Sequence, residues 1–269
     1  MRRAAHQLLD RPLVLEDPIA LPILGPDAAE RVKAGESRAR RFASRASRAF
    51  MVARSRYAED ELARAIGRGA TQYVILGAGL DTFAYRNPHP AALRVFEVDF
   101  PATQEWKRAR LAAAGIAAPE SLTFAPVDFE TQSLADGLAA AGFDRGKISF
   151  FSWLGVTMYL TREAMRTTLS FIASLPAGSG VVFDYAVPRD KLNWFGRFVF
   201  DRMSARVAAA GEPFRLFFEP QALEAELKEL GFGAVEDVGA PELNARYFAN
   251  RSDGLEVKGR LGRLMNARM

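Results

Sequence analysis

The residues with the clearest chemical potential form a glycine-containing turn after an apolar run. The run at positions 73–76 leads into Gly77, Gly79, Asp81 and Thr82. Glycines allow a tight turn and let a ligand approach the backbone closely. A dinucleotide fingerprint needs a third glycine where this chain has Thr82, and a carboxylate at Asp81 would repel a phosphate. The loop therefore favours a nucleoside joined to an amino acid, and S-adenosylmethionine is such a ligand.

Acidic residues follow the next two apolar runs. Asp99 stands 22 residues after Gly77, close to the spacing of ~20 residues at which a carboxylate binds ribose hydroxyls. Glu97 precedes it by two residues and points to the same face of a strand. Asp128 ends the third run, where a carboxylate can accept a hydrogen bond from the adenine amino group. Ligands of open α/β sheets bind outside the carboxyl ends of the strands, so we expect a ligand beside these acidic residues. The alternative for Asp99 is a structural role in which it only starts a turn.

Strand patterns alternate with helical patterns from residue 70 onward. Strands that are almost wholly apolar and separated by helices indicate a parallel sheet with helices on both faces. The predicted strands are 72–76, 94–99, 122–127, 148–153, 180–185 and 233–238, and the predicted helices are 102–114, 131–141, 162–175 and 220–230. The chain is therefore predicted to adopt an α/β fold.

A length of 269 residues with 49% hydrophobic residues suits one large domain and excludes a disordered chain. We predict a single domain with an N-terminal helical cap at 1–69, a cofactor-binding core at 70–187, a substrate lid inserted at 188–219, and the C-terminal part of the core at 220–269. The tail from Leu255 is basic and interrupted by glycines, so we expect its end to be mobile.

An arginine-rich stretch precedes the first strand. Apolar residues recur within it at helical spacing, which predicts one amphipathic helix with a solvated basic face; an anion site or a nucleic-acid surface is the alternative. The stretch has no interleaved aromatic residues and no nucleic-acid motif, so we expect no nucleic-acid partner. Its seven arginines are Arg38, Arg40, Arg41, Arg45, Arg48, Arg54 and Arg56.

The chain contains no cysteine and two histidines, His6 and His89. A disulfide framework, a cysteine nucleophile and a thiolate or multi-histidine metal site are therefore not expected, and we predict no metal. No apolar run approaches the ~20 residues of a membrane helix, and the N-terminus lacks the apolar region of a signal peptide. We expect a cytoplasmic protein without a membrane partner; the sequence carries no signal for an oligomeric state.

Several segments, in order along the chain, resemble the leucine carboxyl methyltransferase family. They are Val74-Ile75-Leu76-Gly77-Ala78-Gly79-Leu80-Asp81-Thr82, Phe96-Glu97-Val98-Asp99-Phe100-Pro101, Pro126-Val127-Asp128-Phe129 and Met158-Tyr159-Leu160, and residues 243–248 resemble a motif of bacterial small-molecule members. The resemblance implies a class I methyltransferase with a Rossmann-like fold and a mostly parallel seven-stranded sheet. It also implies O-methyl transfer with S-adenosyl-L-methionine as cofactor and S-adenosyl-L-homocysteine as product.

The same resemblance implies the cofactor contacts. They are Arg54 at the methionine carboxylate, Gly77, Ala78, Gly79 and Asp81 at the methionyl part, Asp99 at the ribose, and Asp128 and Phe129 around adenine. Leu154 stands where the eukaryotic members carry a glutamate. Because leucine accepts no hydrogen bond, that contact is absent or supplied elsewhere, and a protein C-terminus becomes a weaker candidate substrate.

Methyl transfer from a sulfonium is an in-line displacement, so the protein mainly aligns the reactants. A carboxylate is already ionised at pH 7, whereas a phenol with a pKa of about 10 usually needs a base. Neither His6, near an end expected to be flexible, nor His89, in a loop, is an evident base. We therefore expect methylation of a small carboxylic acid, aromatic or polyketide, in secondary metabolism, as in the similar tetracenomycin-type carboxyl methyltransferases. Phenol O-methylation and a non-catalytic cofactor-binding module are the alternatives.

Aromatic residues are concentrated at positions 194–218, where seven occur in 25 residues. They predict a lid with an aromatic wall for a flat apolar substrate, although a helix that packs on the core is the alternative. The predicted substrate contacts are Trp194, Phe198, Phe217 and Tyr247, and the candidates for positioning the acceptor are Tyr159 and Arg197.

Overall fold

The structure, a computed structural model, describes residues 1–35, 41–128, 132–209, 211 and 213–269. Its strands are β1 (Gln72–Leu76), β2 (Arg94–Asp99), β3 (Leu122–Pro126), β4 (Ser149–Trp153), β5 (Gly180–Ala186), β6 (Ala234–Val238) and β7 (Gly262–Arg268). Within these residues the strands form one seven-stranded sheet in the order β3-β2-β1-β4-β5-β7-β6. The first five strands are parallel to one another, and β7 is antiparallel to β5 and β6. The mostly parallel α/β sheet is thus confirmed.

Helices cover both faces of the sheet. They are α1 (Arg2–Leu9), α2 (Ala28–Gly35), α3 (Arg41–Gly67), α4 (Pro101–Ala113), α5 (Leu134–Ala140), α6 (Arg162–Ala173), α7 (Trp194–Ala209), α8 (Pro220–Glu229) and α9 (Ala240–Tyr247). Apolar residues of α5, α6 and α8 form the core on one face, and those of α3 and α9 form the core on the other. Because both faces are covered, every residue of β1, β4 and β5 is buried, which explains why these strands are so apolar.

The helix predicted at 131–141 begins later than its sequence pattern indicates. Its described part begins with Leu134, after Ser133, whose hydroxyl accepts a hydrogen bond from the backbone N–H of Asp136 at 3.1 Å. A serine in this position satisfies one of the backbone donors at a helix start. The predicted first residue, Thr131, lies outside the described residues.

The C-terminal segment corrects the expectation of a mobile tail. Strand β7 lies between β5 and β6, so its backbone is hydrogen-bonded along both edges. Leu264, Met265 and Ala267 are completely buried. The basic residues Arg263 and Arg268 lie at the ends of the strand. Arg263 donates hydrogen bonds to Asp237 of β6. An apolar stretch this short gave no periodic signal, and only its partners in the sheet identify it as a strand.

The N-terminal cap is also ordered around a buried histidine, contrary to the expectation of a flexible end. The Nε2 atom of His6 accepts a hydrogen bond from the N–H of Val14 at 2.9 Å, so Nδ1 carries the proton and donates to Asp10 at 2.9 Å. Arg48 of α3 donates to both oxygens of Asp10, at 2.7 and 3.0 Å. The sequence predicts a solvated basic face for α3. At Arg48 this prediction is wrong, because the Arg48 side chain is only 3% exposed.

Helix α7 follows β5 and lies within the segment 188–219 for which the sequence predicts a lid. Phe200 packs inward, whereas Trp194 and Phe198 are exposed. In the part of the chain that the structure describes, no helix combines the length and the hydrophobicity that crossing a membrane requires.

Replacing Arg48 by methionine should lower the free energy of unfolding by about 3–5 kcal/mol, because it leaves the buried carboxylate of Asp10 without its cation. Urea denaturation at pH 7 measures the loss. Arg56→Met is the matched control on the same helix: its partner Asp60 and its own side chain are both partly exposed, so a loss of at most about 1 kcal/mol is expected. Equal losses in the two variants would contradict the prediction.

The same cluster should make stability depend on pH in the acid range. Burial raises the pKa of Asp10, but hydrogen bonds from His6 and Arg48 lower it by more, so the net pKa lies below the usual value. A carboxyl group with a lowered folded pKa stabilises the fold above its unfolded pKa of about 3.9, and this contribution is lost as the pH falls through the folded value. Denaturation of wild type and Asp10→Asn from pH 7 to 2 should therefore show a smaller acid-induced loss in the variant.

Candidate functional site

The turn after β1 has a backbone conformation that strongly favours glycine. Gly77 and Gly79 have φ values of +63° and +46°, a region that residues with a side chain rarely occupy. A Cβ atom on Gly77 would lie 2.4 Å from Cγ2 of Val156, which belongs to the loop after β4. The backbone of this turn therefore packs directly against the neighbouring loop.

The predicted ribose acid is tied to the same turn. One carboxylate oxygen of Asp99 accepts the N–H of Gly79 at 2.6 Å, and the other accepts the N–H of Phe100 at 2.7 Å. Each oxygen retains a lone pair for a further donor, such as a ribose hydroxyl. Asp128, beyond the end of the adjacent strand β3, borders the same cavity as Asp99, whereas the predicted adenine contact Phe129 lies outside the described residues.

Two cavities meet at Gly77 on the carboxyl edge of the sheet. The first, of about 340 Å³, lies between the glycine loop and the N-terminal cap, and the second, of about 750 Å³, lies between the ends of β2 and β3 and helices α5 and α6. Arg54, Ala78, Gly79 and Asp81 border the first, and Asp99, Asp128 and Tyr159 border the second. All the described residues of the predicted cofactor set thus lie around this pair of cavities.

Arg54 is hydrogen-bonded to a buried acid, Asp184, that the sequence analysis did not identify. Its Nη1 donates to Oδ2 of Asp184 in β5 at 2.5 Å, and the other oxygen of Asp184 accepts the N–H of Gly155, also at 2.5 Å. Asp184 is an isolated acid in an otherwise uncharged, fully buried strand, and this was the available signal. Together these contacts join α3, β5 and the loop after β4.

The N-terminal cap closes over the glycine loop. Arg3 of α1 donates to the carboxylate of Asp81 at 2.9 Å and to the carbonyl oxygen of Leu80 at 2.5 Å. Asp17 reinforces the contact, because it accepts a hydrogen bond from the hydroxyl of Thr82 at 2.8 Å. No local pattern marks Arg3, whose partner is 78 residues away in the chain.

Glu97 has a structural role behind the loop. It is 1% exposed and accepts a hydrogen bond from Lys107 at 2.6 Å, and Lys107 also donates to the carbonyl oxygen of Asp81 at 2.6 Å. Burial raises the pKa of Glu97 to about 7, although Lys107 acts against the increase. Across the described ranges of the chain, no three histidine, aspartate or glutamate side chains are grouped so that they could hold a metal ion.

The residues predicted to position the acceptor have different surroundings. Tyr159 borders the second cavity, and its ring lies 5.5 Å from that of Phe214. Arg197 borders neither cavity; it donates hydrogen bonds to the carbonyl oxygens of Leu192 and Asp190 and so holds the start of α7. Only Tyr159 is therefore close to the predicted cofactor residues.

The predicted substrate contacts lie outside both cavities. Trp194 and Phe198 are 80% and 55% exposed on the outer side of α7. Phe217 packs against Phe200, with ring centroids 5.6 Å apart, and Tyr247 donates a hydrogen bond to Asp60 at 2.8 Å. In this arrangement part of the aromatic cluster packs on itself, whereas the alternative interpretation of the sequence expects a helix that packs on the core. The structure thus brings the cofactor set together and leaves the substrate set dispersed.

The sheet order, the glycine turn and the acids beyond the neighbouring strands define a class I S-adenosylmethionine-dependent methyltransferase. Within that class the chain belongs to the leucine carboxyl methyltransferase family, whose family model matches residues 1–173. The resemblance seen in the sequence is therefore confirmed.

Relatives of the chain carry the same general description. The "Putative S-adenosyl-L-methionine-dependent methyltransferase YktD" of Bacillus subtilis (strain 168) is 35% identical over 280 residues, which cover 95% of this chain and 91% of that protein. A protein of Mycolicibacterium paratuberculosis (strain ATCC BAA-968 / K-10) with this description is 33% identical over 198 residues, or 70% of this chain and 63% of its own length. A solved DUF574 family protein from Streptomyces avermitilis has a TM-score of 0.57 at 18% identity, covers 91% of this chain and 94% of its own, and shows similarity of fold alone.

If Asp99 accepts hydrogen bonds from the ribose, Asp99→Ala should weaken the binding of S-adenosylhomocysteine by about 2–3 kcal/mol, as expected for hydrogen bonds to a charged group. Titration calorimetry measures the change. Asp27→Ala, which removes an exposed carboxylate that borders neither cavity, is the control and should bind like wild type. An Asp99→Ala protein that is folded and binds normally would exclude this role.

Proposed function

We propose that this methyltransferase transfers the methyl group of S-adenosylmethionine to the carboxylate of a small molecule with an apolar body. The adenosine half of the cofactor would occupy the second cavity beside Asp99 and Asp128. Its methionyl part would cross Gly77 toward Arg54, and the acceptor would enter the first cavity. The bound cofactor supplies a methyl group on a positively charged sulfur; the protein binds and aligns both molecules.

The charge of the first cavity supports an anionic acceptor. Among the described residues, Arg2, Arg3 and Arg54 border it, against Asp81 as its acid. Asp81 is paired with Arg3 and Asp184 lies behind Arg54, so these arginines are held at the cavity, and three cations against one acid in its lining favour a positive potential. Such a potential raises the local concentration of an anion and favours its orientation.

The carboxylate assignment depends on one observation: the described residues that border this cavity include no suitable base. Burial raises the pKa of Asp81, but the charges of Arg3, Lys107 and Arg86 outweigh it, so the pKa lies below its usual value and the carboxylate is a weak base. His6 is buried and uses both ring nitrogens in hydrogen bonds, and His89 is exposed in a loop. A carboxylate acceptor needs no base because it is already ionised.

The remaining wall of the first cavity suggests where the body of the acceptor lies. The cap contributes Ala20, Ile23 and Leu24, and α3 contributes Met51. These side chains offer an apolar surface opposite the glycine loop, which suits an aromatic or polyketide acid. In this proposal the N-terminal cap, rather than the aromatic residues of α7, provides the main contact with the acceptor.

The proposal is tested with labelled S-adenosylmethionine and a panel of aromatic and polyketide acids, each beside its methyl ester. We expect label transfer to free acids only, into a product that releases methanol in mild alkali. Turnover should vary little between pH 6 and 9, because the acceptor stays ionised. The Asp99→Ala variant is the background control. Methylation of a phenol in the ester, with a rate that rises with pH toward the phenol pKa of about 10, would overturn the carboxylate assignment.

A further inference from the structure

We propose that Asp184 is the positioning residue for the amino-acid end of the cofactor. It acts through Arg54 and through the loop after β4, and it touches neither reactant. Its side chain is 2% exposed and borders neither cavity, so its influence must pass through its hydrogen-bond partners. The inference rests on the proposed contact between Arg54 and the methionine carboxylate.

Asp184 holds the guanidinium of Arg54 in one orientation. The carboxylate accepts from Nη1, and on another side a Cβ atom at Gly155 would lie 2.9 Å from Nη2. The guanidinium is therefore confined between a carboxylate and a residue without a side chain. The Nε atom of Arg54 is buried, and no partner for its hydrogen lies among the described residues. An arginine held in this way loses little side-chain freedom when it binds an anion.

Asp184 also fixes the loop that packs on the glycine turn. Its second oxygen accepts the N–H of Gly155, which has a φ of +81°, and its backbone carbonyl oxygen accepts the hydroxyl of Thr157. Val156, between these two residues, packs against Gly77 in the space that a Cβ would occupy. One buried carboxylate therefore sets the position of both the arginine and the valine at the junction of the two cavities.

The sheet register relates Asp184 to the leucine at position 154. Trp153 and Phe183 are the last pair between β4 and β5, and Leu154 and Asp184 are the residues that follow them in the two chain segments. Leu154 borders the first cavity but offers no hydrogen bond. The carboxylate is instead supplied by the neighbouring strand, where it acts on the cofactor site through Arg54.

Replacement of Asp184 by asparagine tests the inference with little change of shape. An asparagine keeps one acceptor oxygen. When that oxygen accepts the Gly155 N–H, the loop stays in place, and the NH2 group then faces the Arg54 guanidinium, which loses its acceptor. We compare two ligands by calorimetry: S-adenosylhomocysteine, and 5′-methylthioadenosine, which lacks the carboxylate and amino groups. Asp184→Asn should weaken S-adenosylhomocysteine binding about 10-fold or more and change 5′-methylthioadenosine binding less than about twofold, because the lost interaction is with the amino-acid end.

Three further variants complete the design. Asp237→Asn is the matched control, since Asp237 is also an aspartate paired with an arginine in the same sheet, and it should leave both affinities unchanged. In a double-mutant cycle, Asp184→Asn should add almost no loss to that of Arg54→Ala, because the two residues act as one unit. If the asparagine variant does not fold, Asp184→Glu is used instead, because it displaces the same charge by one methylene. It should likewise weaken S-adenosylhomocysteine binding more than 5′-methylthioadenosine binding.

The outcomes separate this inference from the proposal it rests on. Equal weakening of both ligands, additive losses in the cycle, or S-adenosylhomocysteine binding as tight as in wild type would overturn the role of Asp184. A folded Arg54→Ala protein that binds S-adenosylhomocysteine normally would instead overturn the contact between Arg54 and the methionine carboxylate. These binding measurements do not involve the methyl acceptor. The turnover assay therefore tests the carboxylate assignment separately.

Discussion

The lack of a side chain at Gly77 is the constraint on which the geometry of the site depends. Val156 occupies the space where a Cβ would lie, so the loop after β4 packs directly on the turn after β1. Because β1 and β4 are parallel neighbours, this contact brings the walls of both cavities to one edge of the sheet. A larger residue at position 77 would separate the two loops and, with them, the residues proposed to bind the two halves of the cofactor.

Buried ion pairs then join the surrounding elements to this edge. Each connects residues from different elements, and each leaves a buried charge if one partner is removed, which is costly in a protein interior. The pairs are Asp10 with Arg48 in the cap, Asp184 with Arg54 beside the first cavity, and Glu97 with Lys107 behind the glycine loop. The arginines of α3 thus serve as internal contacts as well as a basic surface, and Arg54 joins the cap to β5 by charge as well as by apolar packing.

The aromatic residues after β5 contribute to packing within the insertion. Phe200, Phe214 and Phe217 lie with ring centroids 5.6–6.4 Å apart, a separation typical of favourable aromatic pairs. This cluster anchors α7, while the apolar wall of the first cavity comes from the N-terminal cap. The concentration of aromatic residues in the sequence therefore marks an element with its own small core. The apolar wall of the first cavity, which lies nearest the proposed methyl-transfer site, comes from the N-terminal cap, where aromatic residues are not concentrated.

The sequence by itself determined the α/β class, the position of the first five strands, the glycine turn and the acids beyond it, because these depend on periodicity, backbone freedom and short spacing within one stretch of chain. The tertiary structure alone decided that residues 262–268 form an inner strand, that His6 is buried, and that Asp184 supports an arginine 130 residues earlier in the chain. Such features depend on a partner that is distant in sequence, and a local pattern carries no record of which distant side chain will satisfy a buried charge or a strand edge.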